Sequence, residues 1–190
     1  MSRWDADPRG RLQRAALDLF GEHGYEQTTV ADIARRAGVT PRTFFRHFSD
    51  KREVLFEGEA TLHELLVLAV AGAINPVSPL DGFTAALKPA TAMFYANRPI
   101  EQVLRRHAVI AANEELLERE LVKLSRLAAS LAEAFVRHGI PRPTAELVAE
   151  AGVLILKIAV RRWVDEADTR DLDHHIDRVT AELAALTVTG

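Results

Sequence analysis

Residues 29–51, TVADIARRAGVTPRTFFRHFSDK, contain two short amphipathic segments that are separated by a glycine. The first segment has apolar residues at helical spacing and begins at Thr29, which forms an N-terminal capping pair with the aspartate three residues later. Gly38 follows this segment, at a point where a left-handed residue ends a helix without steric cost. Thr40 and Pro41 are typical of the first turn of a second helix. The stretch therefore predicts a helix-turn-helix.

The second of these helices has two different faces. At about 100° per residue, Phe44 and Phe48 fall on one side, and Arg42 and Arg46 fall on roughly the opposite side. Outward guanidinium groups can pair with O6 and N7 of guanine in the major groove and with phosphates. On the spacing alone two interpretations stay open, DNA reading and an ordinary helical hairpin with a solvated charged face.

The residues around this motif carry a wider resemblance. From residue 12 to residue 55 the chain resembles the N-terminal domain of the tetracycline-repressor (TetR) family of transcriptional regulators. The matching positions are Ala15, Ala16, Leu19, Phe20, Gly24, Tyr25, Thr28, Thr29, Ile33, Ala34, Ala37, Gly38, Val39, Thr43, Phe44, His47, Phe48 and Lys51. Matches at this many fixed offsets favour DNA binding over the plain hairpin.

The resemblance implies which side chains contact DNA. Arg42 and Arg46 are expected to contact bases or phosphates, and His47 and Lys51 to hold the DNA backbone. The predicted DNA-binding residues are Thr28, Thr29, Thr40, Pro41, Arg42, Thr43, Phe45, Arg46, His47 and Lys51. Phe45 departs from the family, which very often has a tyrosine there whose hydroxyl reaches phosphate. Without that hydroxyl, Phe45 is expected to contact only a sugar or a thymine methyl group.

Charge is distributed unevenly along the chain. The 190 residues carry a formal net charge of −3 at pH 7. Residues 1–52 hold ten Lys or Arg and seven Asp or Glu, a charge of +3, so the other 138 residues hold fourteen and twenty, a charge of −6. A basic surface on an acidic molecule can still bind phosphate groups.

Composition and motifs exclude several classes of protein. A hydrophobic fraction of 48% and a charged fraction of 27% are typical of a soluble globular protein. The absence of cysteine excludes disulfides and is compatible with a cytoplasmic protein, and the location expected for a DNA-binding regulator is cytoplasmic and nucleoid-associated. The first ten residues lack the apolar core of a signal peptide, and the longest uncharged run, 65–80, contains two prolines, so no membrane span is predicted. The chain has no HExxH motif, no glycine-rich phosphate loop and no convincing carboxylate pair, so no enzyme, cofactor or metal site is predicted.

Helical periodicity predicts an all-α chain of about nine helices. A helix-turn-helix domain is expected over residues 1–52, and a ligand-binding and dimerisation domain over residues 53–190. Ser49 and Asp50 are expected to cap a fourth helix that has Lys51 in its first turn and ends at about residue 73. The other helices are expected at about 8–22, 79–97, 99–111, 114–138, 145–168 and 171–187.

A ligand site is expected around Pro89, because a proline inside a helix kinks or splits it and kinked helices often leave cavities. The predicted ligand-binding residues are Phe83, Leu87, Met93, Phe94, Leu104, His107, Leu121 and Trp163. For each apolar residue the alternative is plain core, and for His107 it is a core histidine whose nitrogens are satisfied. Arg105 and Arg106 are expected to be solvated.

The last two helices are predicted to form a dimer interface. Residues 153–160 are apolar in nearly all directions around a helix, so that helix must be buried on two sides. The last helix has apolar residues at spacings of four and three, and the two helices together would form half of a four-helix bundle, which is also where the family dimerises. The predicted interface residues are Leu154, Ile155, Ile158, Leu172, Ile176, Val179 and Leu183, and His174 and His175 are expected at the surface.

The resemblance implies a ligand-responsive DNA-binding regulator. By default it is a repressor that binds a palindromic operator as a homodimer and is released by a small-molecule inducer. The predicted partners are double-stranded operator DNA, a second copy of the chain and an unidentified small-molecule effector, and no membrane is involved. The alternatives are an all-α small-molecule-binding or enzymatic protein without DNA binding, and a protein-interaction module built from the same helices.

Overall fold

The computed structural model describes residues 8–56, 58–72, 78–96, 98–166 and 171–188, and all the regular secondary structure in these ranges is helical. The helices in these ranges are α1 (Pro8–His23), α2 (Val30–Arg36), α3 (Pro41–His47), α4 (Glu59–Gly72), α5 (Pro79–Tyr95), α6 (Ile100–Ala111), α7 (Glu114–Arg137), α8 (Arg142–Asp165) and α9 (Leu172–Val188). The predicted all-α fold is confirmed. None of these helices combines the length and the apolar character that crossing a lipid bilayer requires.

The contacts within the chain divide it into two compact units. The N-terminal unit is formed by residues 1–59 and 99–120, and the C-terminal unit by residues 60–98 and 121–190. The N-terminal unit therefore contains α1, α2, α3, α6 and the first turns of α7. The C-terminal unit contains α4, α5, α8, α9 and the remainder of α7.

The core of the N-terminal unit forms where the apolar faces of α1, α2 and α3 meet. Leu12, Ile33 and Phe44 contribute one fully buried side chain from each of these helices. α1 also packs against α6, and the same core includes Val109 and Ile110 of α6. The helix-turn-helix is thus completed by a segment that lies far away in sequence.

The physical units differ from the predicted domains in the placement of α6. A predicted boundary at residue 52 assigns α6 to the second domain, whereas in the structure residues 99–120 belong to the N-terminal unit. The reason is that Val109, Ile110 and Leu116 bury their side chains in the core that α1, α2 and α3 form. The boundary at residue 52 stays a prediction about function, but it does not coincide with the packing.

The predicted fourth helix starts later than expected. Residues 51–56 form turns, and α4 begins at Glu59, directly after Gly58, whose φ is +80°. Asp50 Oδ1 accepts hydrogen bonds from the amides of Arg52 (2.8 Å) and Glu53 (3.1 Å), so the expected helix cap closes a turn instead. Because that turn carries three consecutive buried residues, it is an ordered part of the N-terminal core; they are Val54, Leu55 and Phe56.

The core of the C-terminal unit contains buried side chains of α4, α5, α7, α8 and α9, and α5, α8 and α9 pack against one another in all three pairs. Within this core the rings of Phe83 of α5 and Phe135 of α7 meet edge to face, with centroids 5.4 Å apart. Pro89 lies inside α5 without splitting the helix. The α5 segment therefore contributes a continuous buried face on both sides of the proline.

The buried face of α9 is wider than predicted. His175, expected at the surface, has no exposed area, and it is buried beside Ile176 and Val179. The prediction was wrong because α9 packs against both α5 and α8, so a narrow stripe of apolar residues is not enough to fill its contact surface. His174, the other histidine, is exposed as expected.

Candidate nucleic-acid interface

The start and the end of α2 are fixed by hydrogen bonds within the motif. Thr29 and Asp32 form a reciprocal capping box, in which each side chain accepts from the backbone amide of the other at 3.2 Å. After α2, Gly38 has a φ of +68°, and the amide of Val39 donates to the carbonyl of Ala34 (2.9 Å). These hydrogen bonds fix the backbone conformation of the tight turn between α2 and α3.

The orientation of α3 is fixed by a cap and by one buried face. The Thr40 hydroxyl accepts from the amide of Thr43 (3.2 Å), and Pro41 occupies the first turn, where no amide donor is needed. Phe44 is fully buried and its ring lies 5.5 Å from that of Phe48. Because this face is anchored in the core, the opposite face of α3 points outward.

Four of the predicted DNA-binding residues share this outward face. Pro41, Arg42, Phe45 and Arg46 are all exposed. The Phe45 side chain is exposed by 57%, a high value for a large apolar residue. The face therefore offers two guanidinium groups and one aromatic ring on a short, rigid helix, which is the kind of surface that reads a major groove.

The predicted threonine contacts differ in how accessible their hydroxyls are. Thr28 is only 2% exposed, and its hydroxyl hydrogen-bonds to the carbonyl of Gly24 (2.8 Å). That hydroxyl closes the end of α1, so it is not positioned to reach phosphate. Thr40 and Thr43 hydrogen-bond to each other through their hydroxyls (3.1 Å), and Thr29 is exposed at the start of α2.

Lys51 holds the connection between α1 and α2. Its ammonium group donates to the carbonyls of Tyr25 (2.8 Å) and Thr28 (3.2 Å) and lies 4.1 Å from the centroid of the Tyr25 ring. The expected position in the first turn of a helix is wrong, because no helix begins there. The phosphate contact predicted for Lys51 stays a prediction, and so does that of His47, whose ring is half-buried.

Arg11 makes a contact between α1 and the end of α2 that the sequence did not predict. Its Nε donates to the carbonyl of Ala37 (3.2 Å), the C-terminal cap of α2. A cation at the C-terminal end of a helix is favourable because unpaired carbonyls give that end a partial negative charge. Arg11 therefore connects the first helix directly to the turn that places α3.

Ion pairs attach α7 to the turn at residues 50–56, and a hydrogen bond attaches α6 to it. Arg52 pairs with Asp50 (2.9 Å) and with Glu115, and Arg119 pairs with Glu53. Arg106 donates to the carbonyl of Leu55 (2.6 Å). The expected solvation of Arg106 is wrong, since only 18% of its side chain is exposed.

These contacts shift the pKa values of Tyr25 and Asp50 in the N-terminal unit. Burial, together with the negative charge of Glu115, raises the pKa of Tyr25 to about 12. Burial alone would raise the pKa of Asp50, but hydrogen bonds from Arg52 and from the Glu53 amide outweigh it and lower that pKa below its ordinary value. Both groups keep their usual charge state over the neutral pH range.

The predicted ligand-binding residues do not form one set. Leu104 and His107 belong to α6 in the N-terminal unit, whereas the other six belong to the C-terminal unit. Phe83 and Leu87 are fully buried in the C-terminal core. Met93 and Leu121 are exposed instead.

The two remaining residues of that set belong to an aromatic cluster. The Tyr95 ring lies between those of Phe94 (4.9 Å) and Trp163 (5.3 Å), with an edge-to-face arrangement in both pairs. The guanidinium of Arg98 lies 4.0 Å from the centroid of Phe94. The cluster is half-buried and combines aromatic faces with a positive charge.

The predicted dimer-interface residues differ in their burial, and their role in a dimer stays a prediction. Four of these residues are buried within the core of their own unit, so their side chains are not available to a second chain; they are Ile155, Leu172, Ile176 and Val179. Leu154 is 39% exposed, and Ile158 and Leu183 are half-buried. Leu147, which the sequence did not single out, is 73% exposed on α8, seven residues before Leu154.

Comparison with known proteins identifies the family of the N-terminal segment. Residues 12–57 match the family described as bacterial regulatory proteins, tetR family. The HTH-type transcriptional regulator TcmR of Streptomyces glaucescens is 40% identical over 80 residues, which are 42% of this chain and 35% of TcmR. The chain thus covers about a third of the length of that relative.

Two further comparisons extend beyond that segment. The HTH-type transcriptional regulator BetI of Agrobacterium fabrum is 30% identical over 159 residues, covering 70% of this chain and 77% of BetI. The crystal structure of FadR of Thermus thermophilus, a TetR-family transcriptional repressor in complex with lauroyl-CoA, superposes with a TM-score of 0.51 at 24% identity and covers 93% of each chain. At that identity the likeness establishes a shared fold.

Proposed function

This chain belongs to the TetR family of bacterial regulatory proteins, and from that premise we propose that it represses transcription by binding a palindromic operator as a homodimer. A small-molecule effector that binds the C-terminal unit would release it. The protein then acts in the cytoplasm and catalyses no reaction. The single observation that carries the proposal is the outward face of α3.

The face of α3 has the chemistry and the rigidity that operator reading needs. Arg42 and Arg46 are one turn apart and exposed, so both guanidinium groups can enter a major groove together. The Thr40 cap and the buried Phe44 ring hold the helix in place, so little order has to be gained on binding. A two-fold dimer would present two such helices to successive turns of the groove, which explains why a palindrome is expected.

Mobility-shift titrations with an operator selected from random DNA, at two salt concentrations, test the DNA part of the proposal. Arg42→Ala is expected to weaken specific binding by about 1–3 kcal/mol and to relax base preference, because a bidentate base contact is lost. Lys51→Ala is expected to weaken operator and random DNA alike. Arg126→Ala, an exposed arginine on α7, is the matched control and should leave binding unchanged. Equal losses on operator and random DNA for both Arg42→Ala and Lys51→Ala would contradict the assignment.

Support for dimerisation comes from the exposed residues of α8. Leu147 and Leu154 are exposed, and Ala151 and Ile158 are half-buried, at spacings of four, three and four that place all four on one side of the helix. Such a stripe is self-complementary across a two-fold axis. Leu154→Glu is expected to give monomers in sedimentation equilibrium and to lose operator binding, whereas Leu68→Glu, at an exposed leucine of α4, should remain dimeric. A dimeric Leu154→Glu protein would rule out this face.

Support for an effector site comes from the aromatic cluster of Phe94, Tyr95 and Trp163 with Arg98 beside it. The proposed site does not include Phe83 and Leu87, because both side chains are fully buried in the core of the C-terminal unit. The bound lauroyl-CoA of the Thermus thermophilus FadR suggests acyl thioesters as the first class to test. Lauroyl-CoA is expected to release operator DNA from the wild type but not from Trp163→Ala, and its effect is limited by its difference in affinity for the two states. Unchanged operator affinity at saturating lauroyl-CoA would exclude this class.

A further inference from the structure

Phe45 is the one large apolar side chain on the outward face of α3. We propose that its ring contacts the 5-methyl group of one thymine in each operator half-site, so that Phe45 determines part of the base specificity. The inference rests on the proposed DNA-binding function, and it adds to that function a base identity which the arginines do not provide.

The position of the Phe45 ring is fixed by the core behind it. The ring lies edge to face against Phe44, with centroids 5.5 Å apart and an interplanar angle of 82°. Phe44 is itself fully buried and contacts Phe48, so the space on the inner side of α3 is already filled. Phe45 therefore cannot turn inward, and its ring is presented to whatever α3 binds.

The neighbours of Phe45 divide the outward face into two strips. Pro41 and Phe45 are four residues apart and form an apolar strip along one flank of α3. Arg42 and Arg46, also four residues apart, form a cationic strip directly beside it. A surface of this kind can contact an apolar group of the DNA through one strip and a neighbouring hydrogen-bond acceptor through the other.

The chemistry of the major groove decides what the apolar strip can contact. A phenyl ring has no hydrogen-bond donor or acceptor, and the one apolar group that base edges present in the major groove is the methyl group of thymine. The cationic strip suits O6 and N7 of guanine. Both strips enter the groove on one helix face. Two neighbouring base pairs of the half-site should therefore contain a thymine and a guanine, on the same strand or on opposite strands.

Replacing thymine by deoxyuridine tests the contact, because deoxyuridine lacks only the methyl group. In an operator selected from random DNA, each thymine would be replaced in both half-sites at once, and affinity measured by fluorescence anisotropy. For the wild type we expect one position at which the replacement weakens binding about fourfold per half-site, or roughly fifteenfold for the pair, as burial of one methyl group predicts. For Phe45→Ala we expect equal affinity for both forms of the operator at that position.

Two variants serve as controls. Arg42→Ala should bind both forms of the operator more weakly but keep the wild-type ratio between them, because its contact is with a different base. Phe45→Leu retains an apolar side chain and should retain part of the ratio. Thermal unfolding checks that Phe45→Ala is folded, and an unchanged midpoint is expected because the side chain is exposed.

Three results would overturn the inference. If no thymine shows methyl dependence while Phe45→Ala weakens every operator, the ring packs on a sugar instead. If the methyl dependence persists in Phe45→Ala, another residue makes the contact. If selection returns no specific sequence at all, the proposed DNA-binding function fails first, and this failure is recognised before any thymine is replaced.

Discussion

The two units of this molecule are organised by different kinds of interaction. In the N-terminal unit, individual hydrogen bonds from identifiable side chains fix each turn, as with the Thr29 capping box, the Thr40 cap and the Lys51 ammonium. In the C-terminal unit, α5, α8 and α9 are held by the packing of apolar faces. Polar bonds of this kind require particular residues at particular positions, whereas apolar packing accepts many combinations of similar volume.

This difference explains where the chain resembles its relatives. The family match covers residues 12–57, the segment whose turns depend on specific side chains. Over 93% of its length the chain shares the fold of FadR at 24% identity. The family match thus falls on the segment whose turns depend on specific hydrogen bonds.

The largest expected effect comes from emptying the core of the N-terminal unit. Phe44→Ala removes a fully buried ring and should cost about 3–5 kcal/mol of unfolding free energy. Phe45→Ala, its exposed neighbour, is the control and should change stability by less than about 0.5 kcal/mol. Amide hydrogen exchange should show lost protection in α1, α2, α3 and α6, with protection in α8 and α9 retained. An equal loss of amide protection in both units would mean that they unfold together, and it would contradict the view that the two units are stabilised separately.

The next largest effect concerns how the stability of the N-terminal unit depends on pH through Tyr25. The pKa of Tyr25 is raised from 10.0 to about 12, so folding favours the neutral phenol. The contribution of Tyr25 to the free energy of unfolding is complete below pH 10. It is lost as pH rises from 10 to 12, because unfolding then releases a proton. The wild type should therefore lose about 2–3 kcal/mol more than Tyr25→Phe over this interval in urea titrations. Parallel pH curves for the two proteins would contradict the assigned shift.

The smallest effect compares one substitution in the two units. A Cβ atom added at Gly152 would overlap Cε1 of Phe83, whose ring is fully buried, so Gly152→Ala should destabilise the C-terminal unit by about 1–3 kcal/mol. A Cβ atom at Gly21 of α1 meets nothing within 4 Å, and Gly21→Ala should stabilise the N-terminal unit by about 0.5–1 kcal/mol. Calorimetric melting of both variants measures this, and a shift of the same sign in both would refute the contrast.

Features that depend on residues close together in sequence could be predicted. The caps of α2 and α3 join positions three residues apart, and the bounds of α1, expected at 8–22 and found at Pro8–His23, follow from periodicity. The outward position of Arg42, Phe45 and Arg46 also follows from the spacing within α3. The start of α8 at Arg142, earlier than expected, reflects a proline that the first turn of a helix tolerates.

Features that depend on distant partners could not be predicted. Arg106 bonds to Leu55, fifty-one positions away, and no local pattern indicates that contact. His175 is buried because α9 packs between two other helices, which its own periodicity does not show. The helix-turn-helix was therefore largely readable from the sequence, whereas the candidate effector and dimer residues needed the tertiary structure.

The N-terminal unit is assembled from two separate segments, 1–59 and 99–120, and this has a consequence for how the protein can be made and modified. During synthesis, the apolar partners of α1 and α2 are incomplete until Ile110 and Leu116 have left the ribosome. A fragment that ends at residue 52 would lack them and expose the core. An exchange of DNA-binding specificity with a relative must therefore either transplant both segments together or be confined to the outward residues of α3.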